Sequence, residues 1–299
     1  MSHLEVVRSY IRGRHRRGSR VFADKSDDVL FSYGRHFPLL VRIPDGFLVN
    51  GNRYSMSTAR HQSYALQALA ESRERFAVVP FSAVQLAIET LDRYRAFDLV
   101  SALKKAVRIT VPSSGERWQE VWYKKSDGTA ALRRVHTLGN SVIRLRDREF
   151  VSAVDETGRG RGMYFFTELP RQKSPSSVTE ALDMLKPALV QGAEKEGITV
   201  RRQGEWFAVP ASIATRQLMR DVRGGLALRK HNHVLGGDGH HQLTHAVIYK
   251  HGPQKGEVYA RGTMRHIAGE HRMLALPGWF RIIRGVQGLS ISVASNSFD

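Results

Sequence analysis

Residues 29–57 read VLFSYGRHFPLLVRIPDGFLVNGNRYSMS, and this stretch decides the fold class. It consists of short runs of β-forming residues separated by Gly, Pro, Asp and Asn, a pattern typical of antiparallel strands. The dipeptide Asn50-Gly51 predicts a tight hairpin turn, because these residues accept two positive φ angles. Helical patterns follow at 58–72 and from Pro80 onward, so strands and helices alternate in this region.

The same mixture extends outward to the C-terminus. Short β-rich segments fill 107–170, and the Pro- and Ser-rich stretch that follows has the composition of a linker. The predicted fold class is therefore α+β, with mainly antiparallel sheets and a few helices in two packed parts. We expect a basic flexible arm at 1–20, an N-terminal α+β domain at 21–175 and a C-terminal α+β domain at 176–299.

Local signals place further elements in the C-terminal part. A helix is expected over 180–195, with a kink or restart at Pro187. A hairpin is expected to turn at Gln203-Gly204, and Ser212 is expected to cap a short helix. Four more strands follow the histidine-rich segment described below.

Composition limits the functional classes. The chain has 299 residues, 46 Lys and Arg against 28 Asp and Glu, and a net charge of +18. Such an excess of positive charge favours a polyanionic partner, above all DNA or RNA. The absence of cysteine excludes disulfides, thiol catalysis and cysteine-bound zinc. No apolar run has the length of a membrane span or a secretory signal. We therefore expect a cytoplasmic protein with no membrane partner. If a phage encodes it, we expect it in the cytoplasm of the host cell or in the virion.

The segment 8–20 contains six arginines and no acidic residue. A flexible basic arm of this kind can become ordered on a phosphate backbone, although a solvated chain end would have the same composition. The predicted nucleic-acid contacts of the arm are Arg12, Arg14, Arg16, Arg17 and Arg20.

The pattern T-x-R-H occurs twice, at 58–61 and 263–266. Arginine can hold a phosphate, and a histidine near its usual pKa can transfer a proton. We therefore take Arg60, His61, Arg265 and His266 as a candidate catalytic set, against the alternative that the repeat is a coincidence in an arginine-rich chain.

Residues 231–251, HNHVLGGDGHHQLTHAVIYKH, contain six of the chain's 13 histidines. Imidazole nitrogens with a carboxylate form a ligand set for a divalent metal such as zinc. The predicted ligands are His231, His233, Asp238 and His245. The competing interpretation is an exposed loop that binds no metal, because 229–242 is rich in Gly and polar residues.

Five segments in order along the chain resemble a family of uncharacterised proteins from phages, plasmids and bacterial genomes. They are LFSYGRHFPL, NGNRYSMSTARHQS, YFFTELP, RQGEWFAVP and ARGTMRH with the later EHRMLALPGWFRI. The resemblance implies a mobile-element context and no particular activity.

Three functions are therefore open. The first is a nucleic-acid-binding accessory protein of a phage or mobile element that contacts phosphates through arginines. The second is a phosphodiester-cleaving enzyme that uses either a metal or the Arg-His pairs. The third is a structural virion protein. The sequence leaves the oligomeric state open.

Overall fold

The computed structural model describes residues 2–14, 18, 20–24, 28–52, 54–111, 117–124, 130–137, 140–154, 163–170, 174–236, 240–268, 271–285 and 289–292. The helices are α1 (His3–Ile11), α2 (Met56–Ser72), α3 (Phe81–Ala96), α4 (Val100–Ala106), α5 (Val178–Met184), α6 (Ala188–Lys195) and α7 (Thr215–Arg223). The first eleven strands are β1 (Val21–Ala23), β2 (Val29–Ser32), β3 (Gly34–Ile43), β4 (Gly46–Asn50), β5 (Phe76–Val79), β6 (Val107–Val111), β7 (Arg117–Lys124), β8 (Ala130–Thr137), β9 (Ser141–Leu145), β10 (Arg148–Val154) and β11 (Met163–Glu168). The remaining strands are β12 (Arg201–Gln203), β13 (Trp206–Pro210), β14 (Ala227–Val234), β15 (His241–Tyr249), β16 (Val258–His266), β17 (Leu274–Arg284) and β18 (Leu289–Ser292).

These elements form three larger sheets and a two-stranded ribbon. The strand orders are β1-β2-β3-β4-β5, β18-β11-β10-β9-β6 and β12-β13-β17-β16-β15-β14, with β7-β8 as the ribbon. Every pairing is antiparallel except that of β4 with β5. The predicted α+β class with mainly antiparallel sheets is confirmed.

The chain divides into two compact units. Unit 1 contains α1 to α5, β1 to β11 and β18, and unit 2 contains α6, α7 and β12 to β17. The division falls between Met184 and Leu185, whereas the sequence placed it at 175. Two elements expected in the C-terminal part, α5 and β18, thus belong to unit 1, and β18 pairs there with β11.

Residues 3–11 form helix α1, so the prediction of a flexible arm is wrong for this segment. Ser2 begins the helix with a capping box to Glu5, which satisfies free backbone N–H groups at the first turn. Val6, Val7 and Ile11 are buried in the core of unit 1. The arginines of the segment favoured a flexible basic arm, but the apolar side chains on one face of the helix determine its structure.

The predicted hairpin at Asn50-Gly51 is also wrong. β4 ends here and the chain enters α2, while β4 pairs in parallel with β5. The Asn50 side chain is buried and donates to the carbonyl of Pro38 at 2.9 Å, and the N–H of Gly51 donates to Val79 at 2.8 Å. These long-range hydrogen bonds fix a conformation that the local turn preference does not predict.

The elements expected around Pro187 and Gly204 are confirmed, with one exception. α5 and α6 are separate helices, and Pro187 is the N-cap of α6. β12 and β13 pair as a hairpin around Gly204. Ser212 does not cap the next helix, because α7 begins later and Ala214 is its N-cap.

The sheet of unit 2 packs on both faces. One face buries a cluster that includes Trp206, Leu243 and Met264. The other face packs against Leu218 of α7 through Tyr249 and neighbouring residues. This two-sided burial fixes the register of the strands.

The expectation of an exposed loop over 229–242 is wrong for most of the segment, because β14 and β15 pair there as an antiparallel hairpin. β14 forms one edge of the six-stranded sheet, and its side chains are mostly exposed. A polar strand of this kind has no apolar face, so its sequence lacks the alternation that identifies a strand.

None of the helices in the described part of the chain is both long and apolar enough to cross a bilayer.

Candidate functional site

Tyr33 occupies the turn between β2 and β3 in a left-handed backbone conformation. Its φ angle is 64°, a region that tyrosine rarely adopts and that strains the backbone. The N–H of Tyr33 donates to the carbonyl of Arg20 at 2.6 Å, and the ring stacks on His61 with the centroids 5.3 Å apart. The ring is nevertheless 42% exposed. Surrounding contacts thus hold an aromatic ring at the surface in a strained conformation.

Arg20, a predicted phosphate contact, lies beside this ring, and Arg60 of the predicted catalytic set is near enough for its charge to act on the phenol. The Arg20 guanidinium is 5.5 Å from the Tyr33 ring centroid, and it donates to the phenol oxygen at 3.4 Å. A hydrogen bond with Ser57 lowers the pKa of the Tyr33 phenol, and contact with Arg20 and the charge of Arg60 lower it further, while burial opposes them. The exposed face of Tyr33 therefore lies in a positive environment.

Further exposed rings accompany Tyr33. The His36 ring covers Gly34, the residue after Tyr33, since a Cβ there would lie 2.6 Å from its Nδ1. The Tyr54 ring lies 6.3 Å from the His36 ring and is 74% exposed. We call Arg20, Tyr33, His36, Tyr54 and Arg60 the tyrosine–arginine surface.

His61 lies beneath this surface and is only 2% exposed. Its Nδ1 is 2.7 Å from the Ser32 hydroxyl, and its Nε2 is 2.9 Å from Nδ1 of His3. Burial lowers the pKa of His61 to about 4, and the neighbouring His3, Arg20 and Arg60 lower it as well. At neutral pH the ring is therefore uncharged and supports the packing of Tyr33.

The second T-x-R-H sequence belongs to unit 2 and has different surroundings. Arg265 is exposed on β16, and its guanidinium Nε donates to Gln242 at 2.8 Å. His266 ends the same strand and is buried. The two Arg-His pairs lie in separate units. Their joint catalytic role stays a prediction.

The other arginines of the expected arm have separate positions. Arg12 is the exposed C-cap of α1, and Arg14 is exposed just beyond it. Arg16 and Arg17 lie outside the described residues. Of the three predicted arm contacts that the structure describes, Arg20 alone is placed in the tyrosine–arginine surface.

The structure brings together two of the four predicted metal ligands. His231 and His245 are paired across β14 and β15, with their Nδ1 atoms 2.9 Å apart. Burial lowers the pKa of His245, as do the nearby charges, among them that of Arg261. His233 pairs instead with Leu243. Asn232 before it has a φ of 50°, which interrupts the regular alternation of side chains along the strand that the prediction assumed. Asp238 lies outside the described residues.

A different group of histidines converges in the interior of unit 2. His241 begins β15 and is the strand partner of His266 at the end of β16, and His271 follows shortly before β17. Their exposed fractions are 1%, 6% and 8%, respectively. One ligand nitrogen from each lies within 4.8 Å of the others. We call these residues the histidine triad.

The turn between β12 and β13 adjoins the histidine triad. Gly204 in this turn has a φ of 58°, and a Cβ there would lie 3.0 Å from Nε2 of His271 and 3.3 Å from Nε2 of His241. The side-chain amide of Gln203 donates to the carbonyls of Met264 and Arg272. Since these carbonyls lie close in sequence to His266 and His271, Gln203 fastens the two chain segments that carry them.

Sequence reasoning missed most of both groups. Tyr33, His36 and Tyr54 were not selected, because nothing in a single sequence marks the strained turn that exposes Tyr33. The excess of histidines did indicate the triad region, but spacing along the chain favoured His231 and His233. Pairing of β15 with β16, together with the turn at Gly204, selects the triad instead.

Comparison of the chain with protein-family models, with curated proteins and with solved structures found no match.

Proposed function

We propose that the chain binds single-stranded nucleic acid through the tyrosine–arginine surface of unit 1, as an accessory protein of a phage or mobile element. The observation that carries the proposal is Tyr33, an exposed ring held in a strained backbone conformation, in contact with Arg20 and near the charge of Arg60. Strain of this kind persists where the surrounding structure enforces it, and it clusters at binding sites. The phage or mobile-element context comes from the sequence resemblance alone.

The chemistry of the surface suits an unpaired strand. Exposed aromatic rings stack on bases of any sequence, and arginine guanidinium groups pair with phosphates. Tyr33 and Tyr54 supply two exposed rings, and Arg20 and Arg60 supply charge next to the first of them. In duplex nucleic acid the bases are stacked on each other and are not available to these rings. The net charge of +18 strengthens binding to any polyanion without selecting a strand type.

The test is fluorescence anisotropy with labelled oligo(dT), oligo(U) and a DNA duplex at several salt concentrations. Tyr33→Ala and Tyr54→Ala should each weaken single-strand binding by about 5- to 100-fold, the usual cost of losing one stacked base. The double variant Arg20→Ala/Arg60→Ala should reduce the slope of log K against log salt by about 1.4, since two phosphate contacts are lost.

Phe97 and Arg93 provide matched controls. Both are exposed residues of unit 1, and they line a groove that contains none of the surface residues. Phe97→Ala and Arg93→Ala should bind like the unmodified protein. If the Tyr33 and Tyr54 variants bound the single strands as tightly as the control variants, the tyrosine–arginine surface would not be the binding site. If the protein bound the duplex more tightly than the single strands, the proposal of single-strand binding would be rejected.

A further inference from the structure

We propose that the histidine triad of unit 2 binds one divalent transition-metal ion of the zinc type. The proposal does not depend on the tyrosine–arginine surface, which belongs to unit 1. His241, His266 and His271 would each supply one imidazole nitrogen, and the fourth position would be filled by water or by the Glu205 carboxylate. The metal would fasten the turn at Gly204 to the ends of β15 and β16.

The geometry of the rings supports this assignment. The ring centroids are 4.7 Å apart for His241 and His266, 4.8 Å for His266 and His271, and 5.5 Å for His241 and His271. In a tetrahedral zinc site with bonds of about 2.1 Å, the ligand nitrogens are about 3.4 Å apart. The nitrogens here lie within 4.8 Å of one another. Metal binding would therefore draw the nitrogens together by up to about 1.4 Å.

The turn between β12 and β13 packs closely against two rings of the triad. Nε2 of His241 and Nε2 of His271 both face the position that a side chain at Gly204 would fill. A larger residue would collide with these nitrogens, so glycine permits the close packing, and its positive φ also favours glycine there.

The same turn carries an acidic residue. Glu205 follows Gly204, and its Oε1 is buried with no hydrogen-bond partner among the described residues. Burying a carboxylate oxygen without a partner is costly, and a cation nearby would compensate that cost.

The surface pair, His231 and His245, is less suited to hold a metal. It offers two imidazoles where the triad offers three. Arg229 and Arg261 lie close enough for their charges to lower the pKa of His245, and the same charges oppose a bound cation. His231 is exposed, so water competes for any ion there.

The experiment uses the full chain, treated with chelator and then dialysed against Zn²⁺ or Co²⁺ alone. We expect one bound ion per chain, measured by elemental analysis. At a free metal concentration about 100 times Kd, the thermal midpoint should rise by about 5 °C or more. His241→Asn and His271→Asn should each abolish stoichiometric binding, and the control His231→Asn/His245→Asn should keep one ion.

Cobalt absorption makes the test independent of whether the triad variants fold. Four-coordinate Co²⁺ absorbs visible light far more strongly than six-coordinate Co²⁺. Intense absorption by both the unmodified protein and the His231→Asn/His245→Asn variant supports the triad. The absence of a bound ion, weak absorption typical of six-coordinate Co²⁺, or loss of the signal in the His231→Asn/His245→Asn variant would overturn the assignment.

Discussion

Lowering the pH from 7 to 5 should destabilise unit 1 through His61, and replacing His61 by Gln should remove this effect. Burial and the positive neighbours of His61 lower its pKa to about 4 in the folded protein, whereas histidine in an unfolded chain titrates near 6.5. Above pH 6.5 neither state binds the proton. Between pH 6.5 and 4 the unfolded state binds it and the folded state does not, so the free energy of unfolding falls as the pH falls.

The size of the effect follows from the two pKa values. Each pH step of one unit inside this window removes about 1.4 kcal/mol, so the change from pH 7 to pH 5 costs about 2 kcal/mol after allowing for partial titration near 6.5. Below pH 4 both states are protonated, and the loss from this residue ends. His61 is almost fully buried, so solvent screening reduces this figure little.

The assay is urea unfolding followed by circular dichroism at pH 7, 6 and 5. Other titrating groups are common to the unmodified protein and His61→Gln, so the difference between their pH dependences isolates His61. Glutamine keeps an amide that can bond to Ser32 or His3. His36→Gln serves as a control, since His36 is exposed on the same unit. If the unmodified protein and His61→Gln lost the same free energy between pH 7 and 5, the buried neutral state of His61 would be refuted.

Two further predictions concern backbone strain and core packing. Tyr33→Gly should melt about 2–4 °C above Tyr33→Ala in calorimetry, because glycine tolerates the φ of 64°. At Tyr54 the alanine variant should instead melt above the glycine variant. If glycine gave the higher melting temperature at both positions, backbone strain at Tyr33 would be excluded as the cause. Leu218→Ala should cost about 2–5 kcal/mol in urea unfolding, since the side chain is fully buried beneath α7. Leu226→Ala, at an exposed leucine of the same unit, should change stability little, and an equal loss at both would contradict this packing.

The sequence predicted the elements whose apolar pattern is local. The helices α2 and α3, the restart at Pro187 and the hairpin around Gly204 were all expected from spacing, capping or turn residues. Periodicity and turn chemistry act over a few residues, so they can be read without knowing what packs against them.

The errors arose where distant contacts decide the structure. Asn50-Gly51 has the composition of a turn, but hydrogen bonds to Pro38 and Val79 hold it at the end of a strand. α1 was hidden in an arginine-rich segment, although Val6 and Val7 are fully buried. Removing residues 1–20 would therefore take away part of the core together with the basic charge.

The candidate sites were predicted only in part for the same reason. Arg20 and Arg60 were selected for their charge, and the structure adds the strained tyrosine on which both charges act. The histidine triad combines residues from separate positions in the chain, and only the pairing of β15 with β16 brings two of them together. Spacing along one strand cannot reveal such a group.

The position of β14 at the rim of its sheet has a consequence for self-association. A rim strand offers unpaired N–H and C=O groups to which a second copy of the protein could add a strand, and this is a common start of aggregation. Arg229 and Lys230 are exposed along β14. Two such strands brought side by side would place like charges together. The cations of β14 therefore oppose polymerisation through this rim.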